Sequence, residues 1–367
     1  MFLFVWFSVT SALPSPPHIV LMLLDDVGWT DVGFQPGSDM VTPTLDLLAD
    51  SGVRLNQYYT QPVCSPSRSA VLSGRYPFHT GMQLYETIIP GSTAGLPLAS
   101  PTLAEVLSQH SYLPYMVGKW HLGSYSWQQT PTERGFVSHV GYLQPFVDYY
   151  TKQIFGAFDF WQNKTLYTAA QGNYSMNQYL DEYTRAVSNF AANRQDDQRL
   201  FMYMAHQVAH FPLDLPDNHN YKRRCAHVSN TRRHTYCAMM SELDDAISAQ
   251  VTLLQSLDLW SDTLLIVATD NGGMCDFNSS NHMSSAGVNY PLRAGKTTLF
   301  EGGVRGVAFI TGGENAFPIQ LRGTTDNHMW HASDWFHTIA SWAGVNEVSS
   351  ILVIQRRRYH PECLPIA

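Results

Sequence analysis

The sequence predicts an α/β protein, a mostly parallel sheet with helices on both faces. Three observations carry this. Apolar runs of strand length are continuous rather than alternating, as in strands covered on both sides. Such runs alternate along the chain with helical patterns, the order that builds a parallel sheet. Polar residues follow almost every run, at the carboxyl ends of strands, where ligands bind in open α/β sheets.

The first run is His18–Leu24, which ends in Asp25-Asp26. Residues 43–50 read as a helix with Pro43 in its first turn and Gly52 closing it. Residues 103–107, after Pro101, repeat the device. A short strand at 115–118 leads into Lys119-Trp120-His121, and another at 200–205 into His206 and His210. A long helical pattern over 239–257 precedes a strand at 264–269 that ends in Asp270-Asn271, and residues 307–310 form a further strand.

Composition narrows the function. At 367 residues the chain supports one large α/β domain or two ordinary ones. With 44% hydrophobic and 14% charged residues it is globular in character, and a formal charge of −8 argues against a nucleic-acid partner. Its 15 histidines would protonate in an acidic compartment and offset that charge. Residues 1–17 fit a signal peptide, an apolar run with small residues at Thr10 and Ala12, although no Lys or Arg precedes it. Three sequons at Asn163, Asn173 and Asn278 agree with export to the lysosome or the extracellular space, and no later segment is expected to span a membrane. Five cysteines set one apart: Cys225, Cys237, Cys275 and Cys363 are disulfide candidates, and Cys64 stands in a different context.

That context is Gln61-Pro-Val-Cys64-Ser-Pro66-Ser-Arg68, closed by Leu72, Gly74 and Arg75. It resembles the signature of the type I sulfatases, whose cysteine is oxidised to formylglycine by a formylglycine-generating enzyme. The hydrated aldehyde has two hydroxyls on one carbon. One attacks sulfur, and deprotonation of the other expels sulfate, which splits one hard step into two. The motif is expected to open a helix whose N-terminal N–H groups favour an anion, with Arg68 one turn on, near the aldehyde.

The resemblance extends to other blocks. Asp25, Asp26, Asp270 and Asn271 look like the family's ligands for one Ca²⁺, joined by the modified Cys64, and an all-oxygen anionic set suits that ion. Gly118-Lys119-Trp120-His121-Leu122-Gly123 matches an element in which Lys119 contacts sulfate and His121 holds or deprotonates the formylglycine hydroxyl. Gln207-Val-Ala-His210-Phe-Pro212-Leu213 places His210 as leaving-group acid or sulfate ligand, with His206 open on strand parity. Phe211 stands where relatives often carry an acid. The block from Pro291 to Gly306 supplies Lys296 as a second sulfate lysine.

The resemblance runs from about His18 to about Trp342, within a catalytic domain expected over residues 18–348, and implies an alkaline-phosphatase-like fold, closest to the arylsulfatase B branch. It therefore implies a sulfated sugar or aryl sulfate substrate, with the 4-sulfate of N-acetylgalactosamine in glycosaminoglycans expected. Residues 349–367 resemble nothing in the family's small antiparallel C-terminal domain, most of which is expected to be missing. Two other readings stand beside this one. One is a phosphatase or phosphodiesterase of the same fold, which would use Ser or Thr and zinc. The other is a truncated, inactive or glycan-binding product.

Overall fold

The computed structural model describes residues 15–83, 88–215, 219–275 and 285–345. The signal-peptide reading, apart from residues 15–17, lies outside these residues, as do Cys363, the sequon at Asn278 and the divergent tail.

The strands are β1 His18–Leu24, β2 Val53–Tyr59, β3 Tyr112–Lys119, β4 Ser138–Tyr142, β5 Arg199–Ala205, β6 Thr263–Thr269, β7 Ala308–Gly312 and β8 Thr324–His331. Across the sheet they run β8-β2-β7-β6-β1-β5-β3-β4. From β6 to β4 every pairing is parallel, while β7 is antiparallel to both β6 and β2. Beyond β4 a hairpin of two-residue strands, Trp161–Gln162 and Thr165–Leu166, ends the sheet.

The helices flank this sheet on two faces: α1 Pro43–Asp50, α2 Cys64–Ser73, α3 Leu103–Ser108, α4 Ser175–Asn193, α5 Thr231–Ser256 and α6 Asp334–Trp342. All seven residues of β1 are buried, and their side chains alternate between two cores. Val20, Met22 and Leu24 pack with α1, α4 and α5; Ile19, Leu21 and Leu23 pack with α2, α3 and α6. The continuous apolar run is thus two interleaved core contributions.

Every sequence-predicted element is present, several with longer bounds. The strand read at 115–118 begins at Tyr112 and passes through Pro114. Pro114 is tolerated because its carbonyl faces the side where β4 begins only at Ser138, with Val137 N donating to it at 2.7 Å. α5 starts eight residues before the predicted position, capped by Asn230, whose side chain accepts from the amides of Arg232 and Arg233.

Because β1, β6, β5 and β3 are parallel and in register, their carboxyl ends meet at one edge. That edge carries Asp25-Asp26, Asp270-Asn271, His206 to His210, and Lys119 to His121.

Candidate active site

α2 begins at Cys64, with Val63 extended at its N-cap, and all ten helix residues are buried. Gly74 ends it in a left-handed conformation at φ 65°, where an added Cβ would lie 2.8 Å from the Phe336 ring. The helix starts at the sheet edge, so its free amides face the same space as the strand-end carboxylates.

Cys64 Sγ lies 3.2 Å from His121 Nδ1, and His121 Nε2 lies 2.9 Å from the carbonyl of Ile88. A carbonyl only accepts, so the ring proton sits on Nε2 and Nδ1 presents its lone pair to residue 64. Burial, then the charge of Lys119, pushes the His121 pKa well below its usual value, which keeps the ring neutral.

Three cations and three carboxylates pack behind this pair. Arg68 is fully buried, donating to Asp270 Oδ2 at 2.8 and 3.1 Å and to the carbonyl of Lys119 at 3.2 Å. Arg68 is therefore committed to Asp270 and to the Lys119 backbone rather than aimed solely at residue 64. Lys119 Nζ meets Asp25 Oδ2 at 2.6 Å, and Lys296 Nζ meets Asp26 Oδ1 at 2.5 Å. Burial pulls the Lys296 pKa down, but Asp26 together with Cys64, Asp25 and Asp270 outweighs it and holds the ammonium charged. Burial pushes the Asp26 carboxyl up, and the neighbouring positive charge, Lys296 foremost, more than offsets this, leaving it below the usual carboxylate range. Asp270 goes the other way: burial and Asp25 raise it despite Arg68.

The predicted metal ligands can be tested by where their lone pairs point. Asp25 Oδ1, Asp26 Oδ2 and Asn271 Oδ1 are buried with no hydrogen-bond partner among the described residues. Asn271 is oriented with its amide donating to Asp26 Oδ1 at 2.8 Å, which turns its oxygen away. Three open oxygens, two of them on carboxylates, fit a hard cation. Asp270 is placed differently, since its Oδ1 accepts from Asp26 N and its Oδ2 from Arg68. Asp25, Asp26 and His210 instead offer atoms within 4.8 Å of one another.

The two histidines after β5 separate cleanly. His210 Nε2 is 3.7 Å from Asp26 Oδ2, and its Nδ1 meets the carbonyl of Phe211 at 2.8 Å. Burial holds this ring neutral, well below its usual pKa. His206 is fully buried away from the carboxylates, and neither ring nitrogen has a hydrogen-bond partner. Phe146 stacks on His210 at 5.7 Å and touches Phe211 and Phe155, building an aromatic wall beside the charged centre.

Two of the residues with positive φ, which are otherwise spread over the molecule, stand at the site. Asp26 and His121 have φ values of 59° and 55°, in the left-handed region that costs a non-glycine residue on the order of 1–3 kcal/mol. A second layer, which sequence reasoning missed, holds these turns. Asp31 accepts from Gly28 N, Tyr236 and Arg233, and Asn289 accepts from Trp29 N and Gly273 N. Asp31 was visible, five residues after Asp26 in one polar turn. Arg233 and Asn289 carry no local signal.

The arrangement is a buried charged centre: three cations matched by three carboxylates, open oxygens for a cation, and a helix-start side chain facing a neutral imidazole. The Sulfatase family model matches residues 17–345 of this chain. The chain belongs to the sulfatase family. Its relatives in that family include arylsulfatase J of Mus musculus, 36% identical over 335 residues that cover 90% of this chain and 53% of the relative. Arylsulfatase A of Homo sapiens is 31% identical, covering 91% of this chain and 65% of the relative. N-acetylgalactosamine-6-sulfatase of Mus musculus is 28% identical, covering 94% and 66%. The chain thus spans about half to two thirds of the length of these sulfatases. Among solved structures, Ps i-CgsB in complex with k-i-k-neocarrahexaose superposes with a TM-score of 0.81 at 27% identity, covering 92% of this chain and 74% of that one.

Proposed function

We propose that this sulfatase-family chain hydrolyses sulfate esters of sugars, using formylglycine at position 64 and one Ca²⁺. The carrying observation is the set of open oxygens on Asp25, Asp26 and Asn271, one of them on a carboxylate that its surroundings hold ionised. Those three residues would hold the ion, with Asp270 closing the set through a shift of Arg68. The ion, when bound, supplies positive charge to the sulfate oxygens and lowers the pKa of a hydroxyl beside it.

The protein's own groups supply the rest. His121 Nδ1 is placed to accept a proton from the residue 64 side chain, its tautomer fixed by Ile88. Lys119 and Lys296 give fixed charge that needs no reorganisation as the sulfuryl group moves. Their charges with that of Arg68 balance Asp25, Asp26 and Asp270, so a divalent ion makes the site net positive and selective for an anion. Lys296, held charged, has the proton that the departing alcohol oxygen needs, and His210 flanks the same carboxylate. The Phe146 wall offers an apolar face to the ring that carries the ester.

The N-acetylgalactosamine 4-sulfate of glycosaminoglycans is the proposed substrate, supported by the branch resemblance. The relative named for 6-sulfate makes the position testable. Release of sulfate from 4-sulfated but not 6-sulfated chondroitin disaccharides is expected, and the reverse overturns the position. The Cys225–Cys237 disulfide supports an oxidising compartment, hence the secretory pathway with the lysosome or extracellular space as destination.

The test of the activity is expression of the full chain with formylglycine-generating enzyme and assay on 4-nitrocatechol sulfate. Turnover that falls at least ~10³-fold in Cys64→Ala is expected. A folded, formylglycine-bearing protein with no turnover overturns the proposal.

A further inference from the structure

A cavity of about 340 Å³, within the range of small-ligand sites, lies on the loops that follow His121 and β4. It is lined by Ser124, Tyr125, Trp127, Gln144, Asp159 and Trp161, with Leu143 at its base. Two links join it to the site. Ser124 follows the His121 turn by three residues, and the His121 amide donates to the Leu143 carbonyl at 3.2 Å. The loop after β4 also carries Gln144 in the cavity and, two residues on, Phe146 against His210.

The lining has the chemistry of a sugar site. Trp127 and Trp161 meet edge to face at 5.5 Å, and Trp127 and Tyr125 keep 45% and 70% of their surface exposed. Exposed aromatic faces suit the C–H side of a pyranose. The polar groups are held in place: Asp159, 6% exposed, accepts from Trp161 Nε1 at 2.6 Å and from the amides of Leu143 and Gln144. Gln144 donates to Ser124 Oγ at 2.8 Å, and its Oε1 is buried without a partner, an acceptor waiting for a hydroxyl. No lining side chain is basic, in contrast with the three cations of the reacting centre.

We propose that this cavity is a subsite for an uncharged ring, a hexose or N-acetylhexosamine, of the same glycan that presents its sulfate to the centre. It rests on the sulfatase reading for the identity of the glycan, but its binding chemistry stands alone. The aromatic faces hold the ring and Gln144 Oε1 takes a hydroxyl, while the lining offers no cation to a uronate or a second sulfate, so that in a glycosaminoglycan it would seat the N-acetylhexosamine and leave the uronate outside.

The experiment compares wild type, Trp127→Ala and Gln144→Leu on a sulfated tetrasaccharide and on 4-nitrocatechol sulfate, which reaches no further than the centre. KM for the tetrasaccharide is expected to rise about tenfold in each variant with kcat held. On 4-nitrocatechol sulfate, kcat/KM stays within twofold. Equal KM values on the tetrasaccharide overturn the subsite. A titration independent of turnover follows tryptophan fluorescence with an unsulfated, uncharged tetrasaccharide and with one built of uronates alone. Saturation by the uncharged ligand, lost in Trp127→Ala, supports the subsite; tighter binding of the uronate chain overturns it. Asn163, an exposed sequon in the adjoining hairpin, supplies the competing occupant. If the uncharged ligand binds only in Asn163→Gln, the protein's own glycan fills the cavity and the proposal falls. Absence of turnover on 4-nitrocatechol sulfate in wild type would sink the sulfatase reading while the titration still decides the subsite.

Discussion

His206 and His210 lie four residues apart, both buried, and their surroundings follow opposite plans. Around His210 the protein keeps charge: Asp25, Asp26 and Asp270 are offset by Arg68, Lys119 and Lys296, all buried. Around His206, and along the α5 face that covers the same side of the sheet, charge is removed. Burial drops the His206 pKa to about 3, and burial lifts Glu242 to about 8. Orphaned polar atoms occur in both regions, on His206, Gln250 and Glu242 as well as on Asp25, Asp26 and Asn271. An orphan on a neutral group is a packing cost, whereas an orphan on a carboxylate held ionised is a place for a cation.

Activity gives the largest contrast. His210→Ala is expected to lower kcat/KM on 4-nitrocatechol sulfate by about 10²-fold, the loss of a polar group that flanks Asp26 at the reacting centre. His206→Leu should leave it within about threefold. A loss confined to His206→Leu would break the comparison.

Stability comes next. Arg68→Met strands Asp270 and should cost about 3–5 kcal/mol in denaturant unfolding. Gln250→Met replaces an amide that has no partner by an apolar chain of similar length, and should be neutral or stabilising. Calcium sharpens the same point. Removing it with EGTA should lower the unfolding midpoint, with about 2.7 kcal/mol recovered at a hundredfold excess over Kd. Asp26→Asn should abolish that response, and an unchanged midpoint with calcium in wild type would contradict the ligand set.

The smallest effect concerns Glu242. Its folded pKa is raised from 4.5 to about 8, so between those values the native state holds more protons than the unfolded chain. This carboxyl therefore makes the protein less stable as pH rises through that window. Glu242→Gln removes the proton uptake, and its advantage should grow from nothing below pH ~4.5 to on the order of 3 kcal/mol near neutrality. Melting curves at several pH values check this; an advantage that shrinks with rising pH reverses the sign.

What could be read from the sequence divides along physical lines. Strand ends were legible because a continuous apolar run stops abruptly at charge, as at Leu24 and Thr269, and a parallel sheet brings such ends together. β2 was missed because Val53–Tyr59 mixes polar residues into a strand buried on alternate positions only. α4 was missed although its buried Tyr179, Tyr183, Val187 and Phe190 keep helical spacing, because the polar Gln178, Asp181 and Glu182 interrupt them. The strand parity that left His206 open beside His210 fails past Ala205, where the chain turns and only His210 reaches Asp26. Asp270 ends an apolar run and so stands out in the sequence, but its hold on Arg68 depends on a helix over 200 residues away. Such pairings, like Arg233 with Asp31, are written in the fold and not in local pattern.

The central claim is that the side chain at position 64, facing a neutral His121, is converted into the group that accepts sulfate. Mass spectrometry of the peptide containing residue 64, from secreted protein assayed in parallel, tests it most directly. The account predicts an aldehyde at that position in proportion to sulfate released across preparations. A preparation that turns over at full rate with the thiol intact and alkylatable would contradict it.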